Sequence, residues 1–99
     1  MAMDFEWDET KSDRTRRERG VGFDYAVLIF EGLVLEWEDR REDWGETRIV
    51  AAGTVEDVIL TVIYTDRGKR RRIISARKAR QEEREAWLSY VDLLKSSGS

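Results

Sequence analysis

The sequence contains no cysteine and no histidine, and both absences narrow the chemistry open to it. Without cysteine, disulfide scaffolds, thiol nucleophiles and zinc sites with thiolate ligands are excluded. Without histidine, the chain lacks the side chain that most often transfers protons near neutral pH, and it lacks imidazole metal ligands. We therefore expect neither a metal site nor a cofactor.

Long apolar segments are also missing. The longest apolar runs span 26–30 and 58–64, the second is interrupted by Thr61, and neither can cross a bilayer. The N-terminal residues 1–4 have neither the basic region nor the apolar segment of a secretion signal. These features predict a cytoplasmic protein that does not contact a membrane.

What the chain does contain is enough apolar surface for one modest core. Of its 99 residues, 40% are hydrophobic, including four Trp, three Tyr and three Phe. This amount of anchoring surface argues against disorder, and the length suits one domain rather than two. We predict a single domain over residues 1–95, followed by a disordered tail at 96–99.

Positive charge is concentrated in one stretch of the chain, although the net charge is −3. Residues 65–85 carry 9 basic and 4 acidic side chains, whereas residues 1–64 carry 8 basic and 16 acidic ones. Clustered arginine attracts phosphate groups through bidentate hydrogen bonds and the release of counterions. The simpler alternative is that these charges belong to a solvated strand and helix surface.

The spacing of apolar residues predicts the order of helices and strands. In chain order we predict a strand at 3–7, helices at 9–19 and from 23 to near 32, strands at 33–37, 46–52, 57–64 and 70–75, and a helix at 79–94. Asp8 and Gly20 are suited to cap the first helix. The order β-α-α-β-β-β-β-α predicts an α+β fold, with an antiparallel β-sheet meander, two N-terminal helices and a C-terminal helix.

Aromatic residues supply most of the predicted core contacts. Trp7, Trp37 and Trp87 are expected in the core. In the last helix the docking stripe is predicted to contain Trp87, Tyr90, Val91 and Leu94. The first helix is almost wholly charged, so it is expected at the periphery of the fold.

Several short motifs resemble the BrnT family of toxins. The motifs are Phe5-Glu6-Trp7-Asp8-Glu9 with Lys11, Gly20-Val21 with Phe23, Glu46 with Arg48 and Gly53, the run Arg72-Ile73-Ile74-Ser75-Ala76-Arg77-Lys78-Ala79, and Glu83-Arg84. The resemblance covers roughly residues 4–88. It implies a RelE-like fold, RNA cleavage that arrests growth, and neutralisation by a BrnA-type antitoxin with a ribbon-helix-helix DNA-binding region, in an assembly that could be a heterotetramer.

The sequence departs from the family pattern at the end of the first helix. The family usually has an Asn and then Lys-His-Gly, where this chain has Thr15 and then Glu18, Arg19 and Gly20. Arginine can bind a phosphate, but with a pKa above about 12 it cannot transfer protons at neutral pH. A non-catalytic member that binds antitoxin or RNA is therefore the alternative function. An unrelated RNA-binding domain would explain the basic stretch but not the ordered motifs.

RNA cleavage without a metal requires a base for the 2′-OH, cations for the phosphorane and an acid for the leaving oxygen. Glu46 is our candidate base, and Lys11 is a candidate acid or phosphate contact. The predicted catalytic residues are Glu46, Arg48, Arg72 and Arg77, and the predicted RNA-binding residues are Lys11, Arg19, Trp44 and Arg80.

Each candidate has a structural alternative. Glu46 and Arg48 could form a surface ion pair that contributes little to stability. Arg77 could pair with Glu83 between the last strand and the last helix. Trp44 could stack on a base or pack against the protein.

Overall fold

The computed structural model describes residues 4–97, and these residues form an α+β fold, as predicted. The elements are β1 (Asp4–Glu6), α1 (Glu9–Arg19), α2 (Phe23–Ala26), a 3-10 helix (Val27–Glu31), β2 (Leu35–Glu38), β3 (Ile49–Val55), β4 (Val58–Arg67), β5 (Arg70–Lys78) and α3 (Gln81–Ser97). Met3, the first residue of the predicted first strand, lies outside the described residues. So do residues 98 and 99 of the predicted tail, while Ser96 and Ser97 end α3.

The strands form one sheet in the order β1-β5-β4-β3-β2. Strands β2 to β5 form the predicted antiparallel meander, but β1 pairs with β5 in parallel, so the sheet is mixed and a wholly antiparallel sheet was the wrong prediction. The helical segment between β1 and β2 carries the chain from one edge of the sheet to the other. The meander then returns across the sheet from β2 to β5, which ends beside β1.

The main core lies on one face of the sheet, under α2 and the 3-10 helix. Phe23, Ala26 and Ile29 are fully buried there against strand residues that include Val62 and Ile73. The sequence predicted one helix across this segment, whereas the structure has one α-helical turn followed by a 3-10 helix. Because a 3-10 helix repeats every third residue, it brings Ile29 into line with Ala26.

Helix α1 begins and ends where the sequence predicts. The Asp8 side chain accepts a hydrogen bond from the Lys11 backbone N–H, and Gly20 adopts the left-handed conformation with φ 77°. On its inner side, the buried Ser12 hydroxyl accepts a hydrogen bond of 2.9 Å from the Phe23 backbone N–H. This bond joins the charged helix to the first turn of α2.

Strand β3 begins three residues later than predicted, at Ile49, and Gly53 lies in the strand rather than in a turn. A Cβ atom at Gly53 would lie 2.9 Å from the Ile29 Cβ, so only glycine fits under the 3-10 helix. The hairpin turn falls instead at Glu56 and Asp57, which have positive φ values of 49° and 69°. Because β3 begins only at Ile49, Glu46 and Arg48 lie in the loop before it.

A β-bulge in β5 sets which side chains share a face. Ile63 pairs with Ser75 and the next residue, Tyr64, pairs with Ile73, so the intervening residue of β5 has no partner. The bulge reverses the alternation of side chains beyond it. Ser75 therefore lies on the same face as Arg72, whereas regular alternation would place two residues with this spacing on opposite faces.

Helix α3 begins on the sheet face opposite the main core. Trp87 is buried as predicted, but Leu94 of the predicted docking stripe is 42% exposed. Trp37, also predicted in the core, is 37% exposed, because it lies on the short edge strand β2. The helix ends at Ser97 rather than at 94.

We predict that Ser12→Ala lowers the free energy of unfolding by about 1–3 kcal/mol, because it leaves the buried Phe23 N–H without an acceptor. Urea denaturation measures the change. Ser89→Ala, at an exposed position in α3, is the matched control and should be nearly neutral. Equal effects of the two substitutions would contradict a stabilising role for the Ser12 bond.

Candidate nucleic-acid interface

Arginine side chains gather on the sheet face opposite the main core, which we call the basic face (Arg48, Arg72 and Arg77). Arg72 pairs with Thr65 of β4, and Arg77 pairs with Thr61. Because Thr61 and Thr65 are four residues apart on a regular stretch of β4, both arginines point to the same side.

Arg48 joins this face from the loop before β3. The next residue, Ile49, packs against the main core, so the Arg48 side chain points to the opposite side. Ile49 pairs with Tyr64, and continuation of that register brings Arg48 beside Thr65. Arg48 and Arg72 therefore flank Thr65 in one row across the sheet.

Both of these arginines have carboxylate neighbours, but the contacts are loose. Arg72 Nη1 lies 3.3 Å from Glu6 Oε2, and Arg48 Nε lies 3.6 Å from Glu46 Oε2. Glu46 also contacts Arg67 at 3.3 Å. All four side chains in the Arg48 and Arg72 pairs retain solvent exposure, and such pairs contribute little stability, so a phosphate can replace the carboxylates.

The Trp44 ring packs against the Arg48 guanidinium. The Arg48 Cζ atom lies 4.1 Å from the centre of the Trp44 ring, a cation–π contact that covers one face of the indole. Arg48 Nε and Trp44 Nε1 are both buried without a hydrogen-bond partner among residues 4–97. In this arrangement Trp44 packs against the protein and orients Arg48.

Lys11 and Arg19 add cationic charge from α1. Burial, followed by the positive charges of Arg48, Arg14 and Arg19, lowers the pKa of Lys11, and Asp8 opposes the shift. In the described part of the chain neither Lys11 nor Arg19 forms a salt bridge. Lys11, in the first turn of α1, thus lies in the positive field of Arg48, Arg14 and Arg19.

Arg77 lies at the other end of the basic face and is held tightly. Its Nη1 and Nη2 atoms donate to the two carboxylate oxygens of Glu83 at 2.5 and 2.8 Å, and the side chains are only 15% and 13% exposed. The Thr61 hydroxyl and the Arg80 backbone N–H also donate to Glu83. Thr61 and Thr65 are roughly 13 Å apart along β4. Arg77 therefore forms the structural pair with Glu83 that was the alternative to a catalytic role. It is not next to Arg72.

Arg71, in the middle of the basic run, is directed to the core face instead. It forms a two-point ion pair with Asp66 at 2.8 and 3.1 Å. Its Cζ atom lies 4.0 Å from the Tyr64 ring centre and 5.0 Å from that of Phe30. Alternation along β5 thus removes Arg71 from the basic face, a distinction the charge run alone did not reveal.

No group of three or more acidic side chains suited to hold a metal ion occurs within residues 4–97. Over the same residues, no helix combines the length and apolar character needed to cross a membrane.

Comparison with known protein families gives one match. The family of the ribonuclease toxin BrnT of type II toxin–antitoxin systems matches residues 7–83, about three-quarters of the chain. This span contains every candidate residue of the basic face. No curated protein matches the chain.

We predict that acid destabilises this protein partly through Glu83. Burial raises the pKa of Glu83, but hydrogen bonds from Arg77 and the Arg80 N–H outweigh burial, so the folded-state pKa lies below the ordinary 4.5. Because its pKa is lowered on folding, ionised Glu83 stabilises the fold at pH values above 4.5. This contribution is lost as the pH falls through the folded-state pKa.

The test is Glu83→Gln, which should lower the free energy of unfolding by about 2 kcal/mol near neutral pH. It should also flatten the fall in stability as the pH drops below 4.5, measured by urea denaturation. Glu82→Gln, at an exposed neighbouring position, is the control. Parallel pH profiles for Glu83→Gln and the wild type would show that Glu83 is not the titrating group.

Proposed function

This chain belongs to the BrnT family of ribonuclease toxins of type II toxin–antitoxin systems, and on that premise we propose that it is a metal-independent endoribonuclease that inhibits translation and growth. The observation that supports the site is the row in which Arg48 and Arg72 flank Thr65. Both guanidinium groups are partly exposed and loosely paired, so they can accept a phosphate between them.

In the proposed reaction the substrate's own 2′-OH attacks the adjacent phosphate. Glu46 accepts the 2′-OH proton, and its position beside Arg48 supports this role. Arg48 and Arg72 stabilise the negative charge that develops on the phosphorane. Lys11 protonates the leaving 5′-oxygen, a role that its lowered pKa favours. The products are a 2′,3′-cyclic phosphate and a free 5′-hydroxyl.

The other predicted residues have supporting roles in this proposal. Arg19, at the position of the family's usual histidine, attracts the RNA backbone but transfers no proton. Arg80 contacts RNA further along the face, and Trp44 orients Arg48. Arg77 fixes Glu83 and the start of α3 and takes no part in the chemistry, because its donors to Glu83 are engaged in a buried pair.

The partner of a type II toxin is an antitoxin. We propose a BrnA-type ribbon-helix-helix antitoxin whose acidic segment covers the basic face and so excludes RNA. Lys11 and Arg19 of α1, which form no salt bridge within residues 4–97, and the loose pairs of Arg48 and Arg72 support this binding mode. A cytoplasmic location, a RelE-like fold and a single toxin domain over residues 1–95 are parts of the same proposal.

Arg19 favours a second function, binding without cleavage. Arg19 replaces the side chain best suited to acid–base catalysis, which would suit a member that binds antitoxin or RNA without cleaving it. Cleavage and growth experiments separate the two.

We predict that the purified protein cleaves RNA in the presence of EDTA. Arg48→Ala and Arg72→Ala should each slow cleavage by about 100-fold, because each removes a cation from the developing charge. The measurement is the single-turnover rate on a labelled single-stranded RNA. Arg84→Ala, an exposed arginine of α3, is the control and should cleave at the wild-type rate. Undiminished cleavage by both site variants would remove this assignment, and dependence on added metal would refute the mechanism.

Expression in cells provides a separate prediction. Induction of the protein without its antitoxin should arrest growth, and induction of Arg72→Ala at the same protein level should not. Colony counts after induction measure the effect. Unharmed growth with the wild-type protein, combined with retained antitoxin binding in a pull-down, would favour the non-catalytic function.

A further inference from the structure

A groove lies on the basic face between the end of β2 and the start of α3. Its volume is about 420 Å³, and the buried apolar residues Val50 and Ile63 contribute to its lining. Trp37 lines it from the edge strand, and Arg41 and Arg80 lie among its charged residues. This β2–α3 groove therefore combines an apolar surface, an aromatic ring and cationic groups.

The groove is lined by four arginines and three carboxylates. Asp39, with a side chain only 2% exposed, accepts two hydrogen bonds from Arg41, and Glu83 holds Arg77. The third carboxylate, Glu38, is 43% exposed and pairs with Arg40 at 3.3 Å. The Arg41 side chain remains 63% exposed despite its pair with Asp39. The exposed Arg80 side chain has no ion pair within residues 4–97. An anionic ligand fits this distribution of charge.

Trp37 is the aromatic residue that lines the groove. It is 37% exposed and borders two cavities, the β2–α3 groove and a smaller one of about 370 Å³ lined also by Glu82, Glu83 and Ala86. No other aromatic ring of the described residues stacks against it. An indole open to a groove with cations at its edge is the arrangement by which proteins bind unpaired bases of single-stranded RNA.

The groove lies on the same face of the sheet as the site proposed for cleavage. Trp37 pairs with Val50 in the sheet, and Val50 pairs with Ile63, which lies between Thr61 and Thr65 on β4. An RNA strand held at Arg48 and Arg72 therefore needs to continue only a short distance across the same face to reach the groove.

We propose that the β2–α3 groove binds one nucleobase of the RNA strand that is held at Arg48 and Arg72, with Trp37 as the stacking surface and Arg80 as a contact to the adjoining phosphate. This inference rests on the proposed function, since it assumes that RNA occupies the basic face. It adds a second contact with the substrate, away from the scissile phosphate, that depends on the base rather than on the backbone alone.

The test measures the binding of a fluorescent single-stranded oligonucleotide with methylated 2′-hydroxyls, which cannot be cleaved by 2′-OH attack. Fluorescence anisotropy should show that Trp37→Ala weakens binding at least about fivefold, whereas Trp37→Phe, which keeps a ring, loses less. Leu88→Ala, at an exposed apolar position of α3 outside the groove, should bind as the wild type does. Arg80→Gln should also weaken binding, and it provides a second variant if Trp37→Ala fails to fold.

A scan with single abasic substitutions along the oligonucleotide identifies the base. At one position, removal of the base should weaken binding to the wild type at least about fivefold and should leave binding to Trp37→Ala unchanged. Identical abasic profiles for the two proteins would overturn the groove assignment alone. Failure of the wild type to bind any RNA would overturn the proposed function as well. Loss of antitoxin affinity with unchanged RNA affinity in Trp37→Ala would assign the groove to a protein partner instead.

Discussion

The sheet has two chemically distinct faces, and the bulge in β5 keeps them so. Ile73 and Ala76 are three residues apart and would face opposite sides of a regular strand, yet both pack in the main core. The same irregularity brings Arg72 and Arg77, five residues apart, to the opposite side. Without the bulge, either an arginine would enter the apolar core or one of the core residues would leave it, so the separation of core and basic face depends on this register shift.

Burial of the partner carboxylate distinguishes Arg77, which binds the fold together, from Arg72, which is available to a ligand. Glu83 is nearly buried and receives several hydrogen bonds, so removing Arg77 would leave an uncompensated charge. Glu6 is still accessible to water and makes one long contact with Arg72. Water can take over that contact at little cost, and so can a phosphate. A charged surface can therefore contain both structural and functional arginines of the same residue type.

The charged helix α1 illustrates how function and fold are combined in a small protein. It contributes one buried residue to the fold, Ser12, while Lys11 and Arg19 form no salt bridge within residues 4–97 and Lys11 feels the charge of Arg48. A helix with so little apolar surface gains its stability from its caps at Asp8 and Gly20 and from its bond to α2. Its outer surface is then free to carry charge.

The sequence by itself determined the α+β class, the bounds of α1, the meander of β2 to β5 and membership of the toxin family, because caps, apolar spacing and family motifs are local signals. The choice among the arginines was decided only by the tertiary structure. Side-chain alternation would have separated Arg72 from Arg77, and nothing local indicates a bulge, the late start of β3 or the exposure of Trp37. These features arise where strands pair with distant residues and helices press on the sheet, as Ile29 does on Gly53. Their cause is contact between parts of the chain that are far apart in sequence.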